Sequence, residues 1–209
     1  TICIGRGEES IKQIARDLRA KILNKIYNIP AGNDYPFPRR DFLPREKIVT
    51  SLFNTQDIPS TTVLFSHGCP FQCSFCANLD RGPIRRRSLK SISEEIDYLT
   101  YNYEIRGLSL QDEICIPYGN EAYEFLKLMK SKTIMWRGQL RAGIPESIIK
   151  FAKESGCIEL SFGLESVDQH TLDLTKKAMK VETVKQTLAY CKKHRIKTRL
   201  YFRNGNEFK

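Results

Sequence analysis

Residues 61–78 read TTVLFSHGCPFQCSFCAN, a β-branched and aromatic run that passes directly into a loop carrying one glycine and three cysteines. Thr61 to Ser66 has the composition of a strand. Behind it, Cys69, Cys73 and Cys76 stand in a Cys-x3-Cys-x2-Cys pattern, with Gly68 and Pro70 suited to a tight loop. Three thiols this close cannot all pair as disulfides, but they can fold around one inorganic centre. Structural zinc normally takes four protein ligands, and neither a second Cys pair nor a histidine at finger spacing follows. An iron–sulfur cluster held by three thiolates, with one iron left open, fits the pattern better. Loop amides aimed at the sulfides would offset the negative charge of such a cluster.

Downstream of this loop, short β-branched runs alternate with amphipathic segments. SISEEIDYLTYNY (91–103) reads as a helix opened by a Ser91–Glu94 capping box, and IRGLSL (105–110) as a strand. NEAYEFLKLMKSK (120–132) is helical and TIMWRG (133–138) a strand; PESIIKFAKES (145–155) is a helix with Pro145 in its first turn. CIELSFG (157–163) is a strand, residues 168–177 and 181–195 are helical, and IKTRLYF (196–202) closes as a strand. Five strands separated by helices predict parallel βα units with right-handed crossovers. Ligands of such sheets gather at the carboxyl ends of the strands, here just after Ser66, Leu110, Gly138, Phe162 and Phe202.

Upstream, residues 8–26 place Ile11, Ile14, Ala15, Leu18, Ile22 and Ile26 on one stripe, the pattern of an amphipathic helix. NIPAGNDYPFPRRDFLPREK follows with four prolines and little periodicity, so residues 28–58 read as a linker.

Over 209 residues, 34 Lys and Arg stand against 24 Asp and Glu, a formal charge of +10. Hydrophobic residues make up 41% and charged residues 28%, enough apolar material for a sizeable core and too much for a disordered chain. The charge excludes an acidic tail protein and leaves nucleic acid, phosphate-rich ligands or plain solubility open. No run approaches the roughly 18 apolar residues of a membrane span, and TICIGRGEES lacks the pattern of a secretory signal. Seven cysteines, an odd number without an export signal, argue for reduced thiols and a cytoplasmic location.

The cysteine pattern, with Phe75 just before its last member and its place after the first strand of a βα series, resembles the radical S-adenosylmethionine superfamily. That resemblance covers most of residues 59–209. It implies a partial parallel (βα) barrel with about five of the usual six strands present. It also implies a four-iron four-sulfur cluster on Cys69, Cys73 and Cys76, whose open iron takes the amino and carboxylate groups of S-adenosylmethionine. An electron from the cluster then cleaves the sulfonium, and a 5′-deoxyadenosyl radical abstracts hydrogen from a substrate. The electron donor implied is a reductase or a flavodoxin- or ferredoxin-type protein. Asp112 and Glu113 in LSLQDEICI match the acidic segment beside the methionine amino group, and a carboxylate there can accept from an ammonium. Arg141 in WRGQLRAG is placed to meet a carboxylate or the ribose, Glu165 in FGLES is similar to the family residue at the ribose, and Lys177 matches a basic residue for the methionine carboxylate. Phe75 joins these as a cofactor contact.

ICIGRGEESIKQIARDL followed by FPRRDFLP resembles the end of a cobalamin-binding-like domain that precedes the radical domain in one large subgroup, with Arg6 where a Glu is usual. On this reading residues 1–27 are the remnant of a Rossmann-like domain, residues 28–58 a linker, and residues 59–209 a radical core stopping short of its sixth strand near Asn206 and Glu207. The chain begins on Thr and reads as a fragment. The Asp-x-His-x-x-Gly cobalamin motif is absent, so cobalamin is expected only in a longer parent protein. The substrate expected is a small molecule undergoing methylation or a similar modification.

Two alternatives remain open at this stage. A transfer-RNA methylthiotransferase-like or other RNA-modifying enzyme draws on the net charge and on Arg85, Arg86 and Arg87 as phosphate contacts. A non-catalytic iron–sulfur or zinc-binding interaction module draws on the thiols alone. Cys3, Cys157 and Cys191 read as small core residues. Cys115 lies just past the second strand at the site end, as either a loop thiol or a participant. His67 is a turn residue beside the loop, His170 and His194 are expected at the surface, and Trp136 in packing.

Overall fold

In a computed structural model, residues 2–3, 7–27, 36–51, 58–78 and 81–203 are described. Arg6, Asn206 and Glu207, singled out above, lie outside them. The chain divides into two compact units, Thr1–Pro38 and Arg39–Lys209.

In the first unit β1 (Ile2–Cys3) pairs in parallel with β2 (Ile26–Tyr27) across helix α1 (Gly7–Ala20). The helix is shorter than the apolar stripe suggested. Lys21 turns left-handed at φ 60° and Ile22 N–H bonds Asp17 O at 3.0 Å, so Ile22 and Ile26 fall beyond it. Buried Asp17 ties the ends together, accepting from Tyr27 Oη at 2.6 Å, Gln13 Nε2 at 2.7 Å and Asn24 Nδ2 at 3.2 Å. Ile11 and Leu18 of the stripe are exposed, and so is Cys3, which is not the core residue expected.

The second unit is built on one curled sheet in the order β10-β9-β8-β7-β4-β3. Its five parallel strands are β4 (Pro59–Val63), β7 (Gly107–Leu110), β8 (Met135–Leu140), β9 (Cys157–Glu165) and β10 (Lys197–Phe202). Each strand pairs with the next in the chain, the layout of successive βα units and of a partial barrel. The helices between them are α3 (Leu89–Tyr103), α4 (Asn120–Ser131), α5 (Glu146–Glu154), α6 (Gln169–Leu174) and α7 (Val181–Lys193). Within the stretch expected as linker, α2 (Arg45–Ile48) forms a helical turn and β3 (Thr50–Ser51) adds antiparallel to β4. A small hairpin of β5 (Ser66–His67) and β6 (Arg85–Arg86) brackets the cysteine loop.

The core lies between sheet and helices. Phe65, Leu108, Phe125, Trp136, Leu160 and Phe162 are almost wholly buried there, and the three thiols of Cys115, Cys157 and Cys191 join them. Trp136 packs edge-on to Phe125 and donates its Nε1–H to Ser155 O at 2.9 Å, which settles it as core. At the other face, alternate positions on β7 to β10 are polar, as the period-2 geometry of a strand demands when one side is left to a cavity.

Two sequence expectations change here. Helix α3 starts at Leu89 and is capped by Ser88, whose Oγ accepts from Ser91 N–H at 3.2 Å; Ser91 instead binds Arg87. The basic run Arg85–Arg87 turns inward. Arg87 and Arg40 converge on buried Glu95, the second at 3.0 Å, while Arg86 lies 4.9 Å over the Phe125 ring, 3.2 Å from Ile114 O and 3.7 Å from Asp112.

Candidate active site

Gly68 begins the cysteine loop at φ +97°, and a Cβ there would meet Pro83 O at 2.6 Å, so only glycine allows the two limbs of the loop to close. The limbs are then laced by backbone bonds, Gly82 N–H to Cys69 O at 3.0 Å and Cys76 N–H to Cys73 O at 3.1 Å. Arg81 Nη2 reaches Cys76 O at 2.8 Å, and Asn78 N–H points at Cys76 Sγ at 3.4 Å. From the far side of the site, Thr175 O accepts from both the N–H of Ser74 at 2.9 Å and its hydroxyl at 3.2 Å.

Cys69, Cys73 and Cys76 are free thiols lining one cavity of about 220 Å³ at the carboxyl end of the sheet. A loop whose three thiols line one cavity, with an amide donor on Cys76 Sγ, fits an iron–sulfur cluster.

Phe75, Glu113, Arg141, Glu165 and Lys177 line the same cavity. Lys177 Nζ binds Glu165 Oε1 at 3.0 Å, with both side chains largely buried. Glu165 stands at φ +68° where β9 breaks register with β10, and Lys177 lies between Lys176 at φ 52° and Ala178 at φ 49°. Left-handed backbone at non-glycine residues costs on the order of 1–3 kcal/mol each and concentrates where side chains must be aimed. Gly163 leaves room for the pair, since a Cβ there would sit 2.6 Å from Glu165 Oε1. Phe75 carries two cations, Lys177 Nζ at 5.5 Å and Arg203 at 4.7 Å from its ring centre.

Arg141 stacks 3.9 Å over Phe71, and its Nη2 is buried with no hydrogen-bond acceptor. Glu113 accepts from Asn78 Nδ2 at 3.3 Å through Oε1, while its Oε2 is buried with no donor. The lining residues thus include an unmet donor and an unmet acceptor, a costly arrangement unless a ligand carries the complementary groups.

Asp112 does not line the cavity. It is fully buried beneath the loop, accepting from Phe65 N–H at 3.2 Å and from the Ser66 hydroxyl, with Arg86 beside it. Burial pushes its carboxyl up from the ordinary range, against the lowering by Arg86 and Ser66. Cys115 likewise faces the core, its Sγ packed where a Cβ on Gly138 would come within 2.7 Å. His67 pairs in register with Arg85 in the hairpin. Sequence reasoning missed Phe71, Asn78, Gln139 and Tyr201, which also face the cavity. Gln139 sits at a strand position where a polar residue alternates with buried ones, which was the available signal.

Comparison with known proteins agrees with this geometry. The model of the Radical SAM superfamily matches residues 63–205. An uncharacterized methyltransferase from Pyrococcus horikoshii is 28% identical over 84% of this chain and 39% of its own length. An anaerobic magnesium-protoporphyrin IX monomethyl ester cyclase from Rubrivivax gelatinosus is 27% identical over 68% of this chain and 27% of its own. The chain therefore spans well under half the length of these relatives. Among solved structures, the cobalamin-dependent S-adenosylmethionine radical enzyme OxsB, with aqua-cobalamin and S-adenosylmethionine bound, superposes with a TM-score of 0.76 at 16% identity, over 94% of this chain and 32% of that one. The radical methyltransferase TsrM from Kitasatospora setae gives 0.59 at 18% identity, over 68% of this chain and 30% of its own. At these identities the likeness is one of fold. The match of a family model to most of the sheet, together with three thiols converging on a cavity at its carboxyl end, shows that the chain belongs to the radical S-adenosylmethionine superfamily.

Proposed function

We propose that this chain is the cofactor-cleaving core of an enzyme that modifies a small molecule by methylation or a similar step. The observation that carries the reading is the shared cavity, where the three loop thiols face an unmet carboxylate oxygen of Glu113 and an unmet guanidinium nitrogen of Arg141. When bound there, a four-iron four-sulfur cluster supplies the electron that splits the sulfonium of S-adenosylmethionine. Cys69, Cys73 and Cys76 hold the cluster. Glu113 Oε2 accepts from the methionine ammonium, and Arg141 Nη2 donates to the methionine carboxylate, so each orphaned atom gains its partner. Glu165, steadied by Lys177, accepts from ribose hydroxyls, and Phe75 closes the cavity as an apolar wall. Asp112 acts from beneath as a positioning residue, holding Phe65 and Ser66 where the loop departs.

The small-molecule reading gains support from the names of relatives, a methyltransferase and a porphyrin ester cyclase. The RNA reading loses two of its three arginine phosphate contacts, because Arg86 and Arg87 are committed inside the protein. In a longer parent protein, residues 1–27 would end a Rossmann-like domain able to present cobalamin, with residues 28–58 as the link to the core at 59–209. The reduced, free thiols suit the cytoplasm and a reductase or flavodoxin- or ferredoxin-type electron donor; no described helix is long and apolar enough to cross a membrane.

The test is anaerobic reconstitution with iron and sulfide, followed by reduction in the presence of S-adenosylmethionine. Iron binding with release of 5′-deoxyadenosine or S-adenosylhomocysteine is expected. Reconstituted protein that binds iron yet leaves S-adenosylmethionine intact under every reductant would refute the reading.

A further inference from the structure

We infer that the concave face of the sheet holds a second, polar cavity that takes a neutral polyhydroxylated group, with Glu159 as its principal hydrogen-bond acceptor. As the place of a substrate's polar end, it rests on the function proposed above.

The cavity, about 190 Å³, is formed by alternate strand positions that register brings into line. Glu159 and Ser161 lie two residues apart on β9, and Gln139 of β8 pairs with Ser161. On β10, Arg199 is the other partner of Ser161, and Tyr201 follows two residues later. Glu159 is 7% exposed, and its buried Oε1 makes no hydrogen bond, with Arg199 Nε 3.5 Å away. Ser161 is buried as well. The side chains of Ser161, Gln139 and Tyr201 find no hydrogen-bond partner in the protein. One cavity therefore gathers a carboxylate, a hydroxyl, a carboxamide and a phenol, all with bonding capacity to spare. A ligand rich in hydroxyls satisfies that set, since each hydroxyl can both donate and accept. A buried acceptor left unmet is costly, and a hydroxyl donated to Glu159 removes the cost.

Charge and size define the ligand further. Arg137 donates to Ser109 Oγ at 2.9 Å and Arg199 sits beside Glu159, so the walls carry charges of both signs. A cationic ligand would meet the guanidiniums and an anionic one the Glu159 carboxylate, which selects a neutral group. The volume is below the roughly 300–1,000 Å³ of drug-sized sites, so the occupant is one sugar-sized ring or one end of a larger molecule. This cavity adjoins the cysteine cavity through Gln139 and Tyr201, which line both.

The experiment titrates the full chain with myo-inositol, with glucose and with cyclohexanol, a ring bearing a single hydroxyl, followed by ligand-observed NMR. Saturable binding of at least one of the two polyols is expected, with cyclohexanol weaker by about tenfold or more. Glu159→Gln, which keeps the shape and removes the charged acceptor, should weaken polyol binding by about tenfold or more, and Ser161→Ala by about threefold or more. If Glu159→Gln does not fold, Ser161→Ala carries the test alone. Lys90→Gln, at an exposed position of α3, should change binding by less than about twofold. No saturable polyol binding, cyclohexanol binding as tight as the polyols, or equal effects of the Ser161 and Lys90 variants overturns the proposal. The titration needs neither cluster nor S-adenosylmethionine, so its failure alongside normal 5′-deoxyadenosine release sinks this inference alone, and the reverse result sinks only the cofactor reading.

Discussion

Replacing Glu95 with alanine should destabilise this fold strongly. Its carboxylate is 1% exposed and faces two buried guanidiniums, Arg40 at 3.0 Å and Arg87 closer still. Arg87 also binds Ser91, through its Oγ at 2.8 Å and its carbonyl at 3.1 Å, and Arg40 also donates to Thr62 O at 3.3 Å. Removing the shared anion takes a buried countercharge from both guanidiniums at once. Breaking a buried pair from one side costs about 3–5 kcal/mol. For a unit of this size that corresponds to a fall of roughly 6–20 °C in Tm. Thermal unfolding followed by circular dichroism measures it. A companion variant, Arg40→Met, Glu95→Leu and Arg87→Met together, separates charge from packing: an apolar replacement of the whole triad should lie near or above wild type. A Glu95→Ala loss below about 1 kcal/mol, or a triple variant as unstable as the single one, would refute the reasoning.

Further tests bear on the site. Gly68→Ala forces a Cβ to 2.6 Å from Pro83 O, so reconstituted iron content should drop sharply, whereas Cys191→Ala should leave it unchanged. Glu165→Ala should weaken S-adenosylmethionine binding by about tenfold with iron retained, as read by equilibrium dialysis, and Gly163→Ala should do the same by pushing on Glu165 Oε1. Burial pushes the Cys191 thiol from an ordinary 9.0 up to about 11, and that of Cys157 well upward. A raised folded-state pKa means the stability linked to the neutral thiol is whole below about pH 9 and lost as pH climbs toward 11. Denaturant melts across that window should show the decline, and Cys191→Ala should reduce it.

The strand–helix rhythm from residue 59 onward was legible because each segment buries one face locally, and the Cys69–Cys76 pattern because its ligands lie within one loop. What sequence could not show depended on partners met only after folding. Arg86 and Arg87 read in sequence as candidate phosphate contacts in a basic run, yet Asp112 and Glu95 draw them inward from a strand end and a helix. Asp112 and Glu113 are neighbours with opposite orientations, and only the fold tells which one reaches the cavity. Ser91 matched a capping box, but Ser88 already supplied the cap and the Ser91 hydroxyl was claimed by Arg87. Ile11 and Leu18 followed a helical stripe that Thr1–Pro38 leaves exposed, where buried Ser10 and Asp17 take the inner positions. Arg40 was hidden in a proline-rich stretch because its partner Glu95 lies far along the chain, and β3, two residues long, is too short to show a periodicity.

The clasp between Ser74 and Thr175 bears on the order in which the site assembles. Two hydrogen bonds on one carbonyl join the thiol loop to the end of α6, two residues before Lys177. A net contribution of about 0.5–1.5 kcal/mol per bond is small for stability, but it means the thiol loop and the lysine platform settle together. A change in the thiol loop that withdrew Ser74 would cost Thr175 both bonds and act on the turn that carries Lys177 beside Glu165. The two halves of the cavity are thus linked through the backbone as well as through the space they share.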